Sequence, residues 1–249
     1  MDQSQTCEDC FAIRYTFTLP HSTREFLVQL RRDTLALIQP PRTHYPDWAR
    51  LDYHQCKNCP LTIDRFPHCP VAASMAEAIE YFQDLWSFEE IVVEISVGTR
   101  TVRTRTAVQN ALGGLTGVYM VTSGCPILDQ LRPMAYSHLP FASLEETVYR
   151  ALAMYSLAQM LRQRRGLTPD WEFAGLARIY EQIGIVNRSF HRRLPMIGTK
   201  EAGKNAVISL DAYAKYTSNR PFAKSIAELE KLFQPYLRSD SPAEGAPPA

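Results

Sequence analysis

The sequence predicts an α+β fold, in which a small antiparallel sheet of two hairpins with one helix is followed by a helical half. Alternating apolar and polar residues in two pairs of segments predict the sheet. Apolar residues at helical spacing after residue 107 predict the second half. The chain has 249 residues, of which 45% are hydrophobic and 21% are charged, so it is long enough to bury a sizeable core.

The two hairpins are predicted from alternation and from the turns between their strands. "FAIRYTFTL" places Ile13, Tyr15 and Phe17 on one face, "EFLVQLRR" repeats the pattern, and "PHSTR" suits the turn between them. "FEEIVVEISV" and "RTVRTRTAV" flank Gly98-Thr99 and predict the second hairpin. The helix between the hairpins is predicted over "PVAASMAEAIEYFQDLW".

The helical half begins near residue 107. Ser143 and Glu146 form a capping box ahead of a helix that is expected to stop at Gly166. A second long helix is predicted over "DWEFAGLARIYEQIGIVNRSFHRRL", and two shorter ones near 205–216 and 225–237. The expected organisation is a flexible N-terminus at 1–10, an α+β half with a cysteine-rich segment at 11–106, a helical half at 107–237 and a disordered tail at 238–249.

Net charge and hydropathy limit the kinds of binding partner that are expected. The formal net charge is +1, so no overall field draws the protein to nucleic acid, and such a partner is not expected. No run of eighteen apolar residues occurs, so no membrane partner is expected either, and a protein partner stays possible. The first residues lack a signal-peptide pattern, which predicts a cytoplasmic protein. In the cytoplasm, clustered cysteines more often bind metal or do redox chemistry than form disulfides.

The segment "YHQCKNCPLTIDRFPHCPVA" carries half of the six cysteines, and a proline directly follows Cys59, Cys69 and Cys125. Proline is favoured at the first position of a helix, so Cys69 and Cys125 are predicted at helix N-caps. The positive end of a helix favours a thiolate and lowers the pKa of a thiol there. Cys56 and Cys59 add a C-x2-C pair whose sulfurs reach one metal. The predicted metal and cofactor ligands are therefore Cys56, Cys59, Cys69 and Cys125.

The spacing leaves the metal undecided between a [4Fe–4S] cluster and zinc, with Cys-Pro slightly favouring the cluster. His54 or His68 is a possible substitute for one cysteine, which would favour zinc. Four cysteine ligands leave no coordination position open, so no catalytic residue is assigned. Cys7 and Cys10 form a second C-x2-C pair, with forty-five residues between Cys10 and Cys56, and are expected as an exposed dithiol in a mobile tail.

Three functions follow from these features, and whether the protein is an enzyme stays open. The first is a metal-binding protein whose centre is structural or sensory. The second is a redox enzyme or electron-transfer protein that uses the cluster or the Cys7/Cys10 dithiol. The third is an interaction module for nucleic acid or protein that uses arginine-rich helix ends. Those ends comprise Arg162, Arg164, Arg165, Arg188, His191, Arg192 and Arg193.

His138 would be the acid–base group if there were such chemistry, because its ordinary pKa lies near neutrality. It lies in "LRPMAYSHLPF", just after Cys125, so it is expected close to the metal together with Arg132 and Tyr136.

The segments "HQCKNCPL", "HCPVA", "SGCPILDQLRPM", "HLPFASLEETVYRALAMYSLAQ" and "PDWEFAGL" together resemble a family of uncharacterised bacterial proteins of unknown function. The resemblance covers most of the chain between the first hairpin and the last helix. Cys7 and Cys10 are not part of its pattern. It implies a bacterial cytoplasmic protein and implies no activity.

Overall fold

The structure is a computed structural model, and it describes residues 10–83, 85–194 and 222–237. Five strands form one antiparallel sheet in the order β3-β2-β1-β4-β5. The strands are β1 Cys10–Thr18, β2 Thr23–Arg31, β3 Leu37–Ile38, β4 Glu90–Val97 and β5 Arg100–Ala107.

Both predicted hairpins are confirmed, and they join into one sheet because β1 also pairs with β4. Tyr15 lies opposite Phe26 of β2 and Ile95 of β4. The alternation in β1 buries Ile13, Tyr15 and Phe17 completely, so one face of the sheet belongs to the core. The short strand β3, which the sequence did not predict, adds two residues to the edge beside β2.

Six helices are described, together with three short 3-10 helices. The α-helices are α1 Pro70–Phe82, α2 Val108–Thr122, α3 Leu144–Arg164, α4 Ala174–Arg193, α5 Phe222–Glu230 and α6 Gln234–Leu237. The 3-10 helices are Asp47–Ala49, Leu128–Ala135 and Lys231–Phe233. The α+β fold is therefore confirmed. The helix predicted near 205–216 and the tail 238–249 lie outside the described residues.

Two helix ends differ from the prediction. α1 ends at Phe82, before Trp86, and α4 begins at Ala174 instead of Asp170. The late start has a local cause, because the Asp170 carboxylate accepts the Gly175 N–H at 2.6 Å and caps the helix from outside. The predicted capping box is confirmed: the Ser143 hydroxyl accepts the Glu146 N–H at 3.2 Å, and the Glu146 carboxylate accepts the Ser143 N–H at 2.6 Å.

The buried side chains of the sheet and of helices α1 to α4 form one continuous hydrophobic cluster. Within it α2 packs against both α1 and the 3-10 helix Leu128–Ala135. The start of α1, the end of α2 and the end of α4 meet at the edge of this cluster. In the described part of the chain, no helix is both long and apolar enough to cross a membrane.

Candidate metal centre

Four cysteines from three separate segments line one small cavity of about 20 Å³. Cys56 and Cys59 come from the loop before α1, Cys69 directly precedes α1, and Cys125 follows α2. Cys69 and Cys125 are buried, and Cys56 and Cys59 are half-buried. All four are free thiols. The four cysteines that the sequence grouped are thus the four that border this cavity.

The C-x2-C pair sits on a tight turn that is fastened to α4. The Cys59 N–H donates to the Cys56 carbonyl at 3.0 Å, which closes the turn. Inside the turn, the Asn58 side-chain amide donates to the backbone carbonyl of Gln182 at 3.0 Å and to its side-chain oxygen at 2.9 Å. The turn therefore cannot shift without breaking contacts to α4.

Cys69 is the N-cap residue of α1, and Pro70 is the first residue of that helix, as the Cys-Pro pair predicts. The Cys69 N–H donates to the Ala49 carbonyl at 2.8 Å, and the Leu51 N–H donates to the Pro67 carbonyl at 3.0 Å. The Cys69 thiol caps no helical N–H through a hydrogen bond. Its sulfur is held beside the cavity by the backbone on both sides of it.

Two predictions for Cys125 are wrong: the position at which the next helix begins, and the direction in which the pKa of its thiol is shifted. It follows Gly124, whose φ is +85°, and the 3-10 helix after it begins at Leu128 instead of Pro126. Burial raises the pKa of Cys125, although the N–H groups of Leu128 and Ile127 hydrogen-bond to the sulfur and oppose the rise. The predicted lowering is wrong here, because the cost of burying a thiolate exceeds what these two N–H groups return.

A buried arginine, which the sequence did not assign to the site, also lines the cavity. Arg193 is 1% exposed, and its guanidinium donates to the backbone carbonyls of Trp48 at 2.9 Å, Arg50 at 2.6 Å and Leu51 at 3.0 Å. Its Nε is buried and has no hydrogen-bond partner among the described residues.

The position of Arg193 had a sequence signal. It follows Val186 and Phe190 by seven and three residues, and so continues the apolar stripe of α4. Its basic neighbours predict that Arg193 belongs to a helix end at the surface. That prediction is wrong, because Arg193 is buried.

Burial, and to a lesser extent the nearby thiols of Cys69 and Cys125, raises the pKa of Cys56 to about 11. A hydrogen bond with Ser189 and the charge of Arg193 act in the opposite direction. Cys56 is therefore a protonated thiol at neutral pH unless a cation enters the site.

The histidines lie elsewhere. His54 is exposed and packs edge-on against Tyr53 with ring centroids 4.8 Å apart, and half-buried His68 packs against Tyr45 at 4.4 Å. Neither of them lines the cysteine cavity. His138 does not line it either, since its Nε2 forms a hydrogen bond with the Tyr15 hydroxyl at 2.7 Å inside a different cavity. Arg132 and Tyr136 are likewise absent from the walls of the cysteine cavity.

The thiols are not gathered around a single point. Within residues 10–83, 85–194 and 222–237, no three His, Cys, Asp or Glu side chains are grouped closely enough to hold one metal ion. Tetrahedral zinc with Zn–S bonds of about 2.3 Å would place the sulfurs about 3.8 Å apart. The four sulfurs would therefore have to come closer together before they could bind one ion.

Cys10 also departs from the prediction. It is the first residue of β1, it is buried, and it takes part in a disulfide. The prediction of an exposed thiol in a mobile tail is therefore wrong for Cys10. Cys7 lies outside the described residues.

One protein family matches nearly all of the residues that form the sheet and the long helices. The family described as "Domain of unknown function (DUF6901)" matches residues 11–234. Neither a curated protein nor a solved structure matches the chain significantly. Because the match spans the sheet, the cysteine cavity and the long helices, the chain belongs to the DUF6901 family of unknown function.

Proposed function

We propose that Cys56, Cys59, Cys69 and Cys125 hold a metal centre, a [4Fe–4S] cluster or zinc, with a structural or sensory role. The observation that carries the proposal is the convergence of four thiols from three segments on one cavity. A cysteine that serves only as a small buried hydrophobe has no reason to meet three others.

The charges around the cavity support a centre that is negative overall. Four thiolates on a divalent zinc ion, or on an oxidised cluster, leave a net charge of about −2. The buried guanidinium of Arg193 provides positive charge at the cavity wall. The other wall residues include Val71, Ile127 and Phe190, which exclude water and strengthen that attraction.

Each metal would use the cavity differently. A cavity of about 20 Å³ has room for a group the size of a water molecule. Zinc would take all four thiolates on one ion, whereas in a cluster each iron would take one thiolate. The Cys-Pro pairs at Cys69 and Cys125 favour the cluster because they recur among cluster ligands.

A structural role follows from what the centre would join. Residues 51–69 contain no helix or strand, and long loops of this kind usually have another source of order. The centre would fasten this loop to the start of α1 and the end of α2, adding its binding free energy to folding. Four cysteine ligands leave no open position for substrate, which argues against hydrolysis at the metal.

A redox role is the second candidate. A cluster in this position would pass single electrons, and the disulfide of Cys10 offers a separate two-electron couple. The arginine-rich interaction module is weakened, because Arg193 is buried and not at the surface. We keep the cytoplasm as the proposed location, because the four cysteines of the cavity are free thiols.

The test is to purify the untagged protein anaerobically, record its ultraviolet–visible spectrum, and measure iron, sulfide and zinc per chain. Broad visible absorption with iron and sulfide would identify a cluster, and a colourless protein with one zinc would identify a zinc site. Serine at Cys56, Cys59, Cys69 or Cys125 should in each case abolish metal retention, while Cys7→Ser and Cys10→Ser should retain it. A protein without metal, or the reverse pattern among the variants, would exclude the proposed centre.

A further inference from the structure

A second cavity, with a volume of about 520 Å³, lies beside the cysteine site. Its walls come from β5, α2, the 3-10 helix Leu128–Ala135, the loop 138–142, α3 and α4. The two cavities share a wall but not a lining residue, because Ile127 and Val186 face the cysteines whereas Leu128 and Asn187 face the larger space. Its volume falls in the range of about 300–1,000 Å³ that is usual for sites that bind small molecules.

Glycines on α2 keep this cavity open. Gly113, Gly114 and Gly117 all line it. A Cβ placed on Gly113 would meet no atom within 4 Å, so that position faces empty space and not a packed neighbour. The rest of the wall is largely apolar, with Val121, Leu131 and other aliphatic side chains. The cavity therefore offers an apolar body a place to be buried.

One cation in the wall lacks a matching anion. The Arg150 guanidinium donates to the Met134 carbonyl at 2.7 Å, and its buried Nε has no partner in the described part of the chain. Within the same ranges, no carboxylate lies at ion-pair distance from it. Glu146 attracts Arg150 from farther away, but its carboxylate already accepts the Ser143 N–H in the capping box. Burial lowers the pKa of Arg150, because the charged guanidinium loses solvation and has no counterion at ion-pair distance.

Three further polar groups line the same cavity. Asn187 is 3% exposed and belongs to its α4 wall. Tyr180 is close enough for its phenol and Arg150 to affect each other's pKa. Burial, and secondarily the charge of Arg150, lowers the pKa of His138 to about 4, so this imidazole is neutral and does not compete for an anion.

The charges of the lining are of one sign. Among the described residues that form the wall, Arg150 and Arg105 are cationic and none is Asp or Glu. Arg105 is exposed and lies at the rim, whereas Arg150 is inside. The Arg150 guanidinium has an unpartnered N–H group, so it suits a carboxylate, which accepts two parallel hydrogen bonds from a guanidinium.

We propose that this cavity binds an organic carboxylate with an apolar body, with its carboxylate at Arg150 and its body along the glycine face of α2. This site is separate from the cysteine centre and does not depend on whether that centre holds metal.

The test is isothermal titration calorimetry of the full chain, as purified, with three probes. Decanoate carries the carboxylate on a chain, 2-naphthoate carries it on rings, and decanol has the chain without the charge. Arg150→Met removes the charge and keeps the bulk. Arg164→Met, at an exposed position on the same helix, is the matched control. Gly113→Leu keeps Arg150 and fills the cavity.

We expect one carboxylate probe to bind with one site per chain, at least tenfold more tightly than decanol. Arg150→Met should weaken that binding at least tenfold and remove the preference over decanol, and Arg164→Met should leave both unchanged. Gly113→Leu should abolish binding, which tests the site even if Arg150→Met fails to fold. Whichever probe binds identifies a chain or a ring as the apolar body. Absence of binding by both carboxylates, equal affinity for decanol, or unchanged binding to Arg150→Met or Gly113→Leu would overturn the proposal.

Discussion

Arg192 and Arg193 are neighbours in the chain and have opposite environments. Arg192 is exposed, and Arg193 is 1% exposed with three backbone carbonyls around its guanidinium. Buried charges persist only when they are paired, hydrogen-bonded or bound to an ion, and Arg193 satisfies that rule through main-chain oxygens. A main-chain partner neutralises no charge, so Arg193 remains a net positive group beside the four thiols.

His138 gives the first prediction, because it is buried as a neutral imidazole between Tyr15 and Arg150. Its pKa of about 4 lies below the ordinary value of 6.5, so the unfolded chain takes up the proton first as pH falls. The stability that depends on neutral His138 is complete above pH 6.5 and is lost between pH 6.5 and 4. A difference of about 2.5 pKa units corresponds to about 3 kcal/mol over this interval.

His138→Gln cannot titrate and can still bond to the Tyr15 hydroxyl. Urea unfolding from pH 7.5 to 4.5 should show that the variant loses less stability on acidification than the parent protein. His21→Gln, at an exposed turn position, is the control and should follow the parent. Parallel pH profiles for His138→Gln and the parent would show that this histidine is not the source of the acid sensitivity.

At the scale of elements, the connection between α3 and α4 is held by one carboxylate. Asp170 accepts the Tyr155 hydroxyl of α3 at 2.8 Å and the Gly175 N–H of α4 at 2.6 Å. Its own N–H donates to the side-chain oxygen of Gln159 at 2.9 Å. These bonds hold the pKa of Asp170 below its usual range, with the Gly175 N–H as the largest cause. The segment "PDWEFAGL" is therefore a cap that joins two helices, which explains why α4 begins after it.

Two glycines in helices should respond in opposite ways to the same change. At Gly175 an alanine Cβ would collide with the Tyr155 hydroxyl and lie 3.0 Å from the Asp170 carboxylate, so Gly175→Ala forces the cap apart. We expect a loss of about 1–3 kcal/mol of unfolding free energy. At Gly113 the Cβ meets nothing, and alanine removes the entropic cost of glycine in a helix, so Gly113→Ala should gain up to about 1 kcal/mol.

Urea unfolding at pH 7 measures both changes, and each variant is the control for the other. Destabilisation by Gly113→Ala would mean that the space beside α2 is closed in solution. A stabilising Gly175→Ala would mean that the contact between Tyr155 and Asp170 does not hold the helix connection.

At the scale of the whole molecule, local sequence patterns predicted the helices and strands. They did not predict the contacts between segments that are far apart in the chain. Alternation at Ile13, Tyr15 and Phe17 identified β1, but nothing local specifies that β1 pairs with β4. The cysteine grouping was found because the Cys-Pro pairs repeat a local signal. Arg193 and Arg150 were missed as site residues because their roles depend on burial by segments far away in the chain. Arg193, for example, is bonded to residues more than 140 positions earlier.

The metal centre should reverse the way in which stability depends on pH. With metal bound, the thiols are ionised in the folded state and protonated in the unfolded state near neutral pH. The folded state then gains stability as pH rises from 6 to 8 and loses it as pH falls. Without metal, burial raises the pKa of Cys56 to about 11, so the folded state holds its proton more tightly than the unfolded chain. That contribution is complete below pH 9 and is lost as pH rises from 9 towards 11.

Thermal unfolding of the metal-loaded and metal-free proteins from pH 6 to 10.5 tests this reversal. Removal of metal at pH 7.5 should lower the Tm by roughly 10 °C, because metal present at about 1,000 times its Kd contributes about 4 kcal/mol, which corresponds to such a shift for a chain of this length. The Tm of the loaded protein should rise between pH 7 and 8, while that of the metal-free protein should stay level there and fall above pH 9. Cys56→Ser should flatten the alkaline fall in the metal-free protein. The same pH profile with and without metal would show that these four thiols are not where the metal binds.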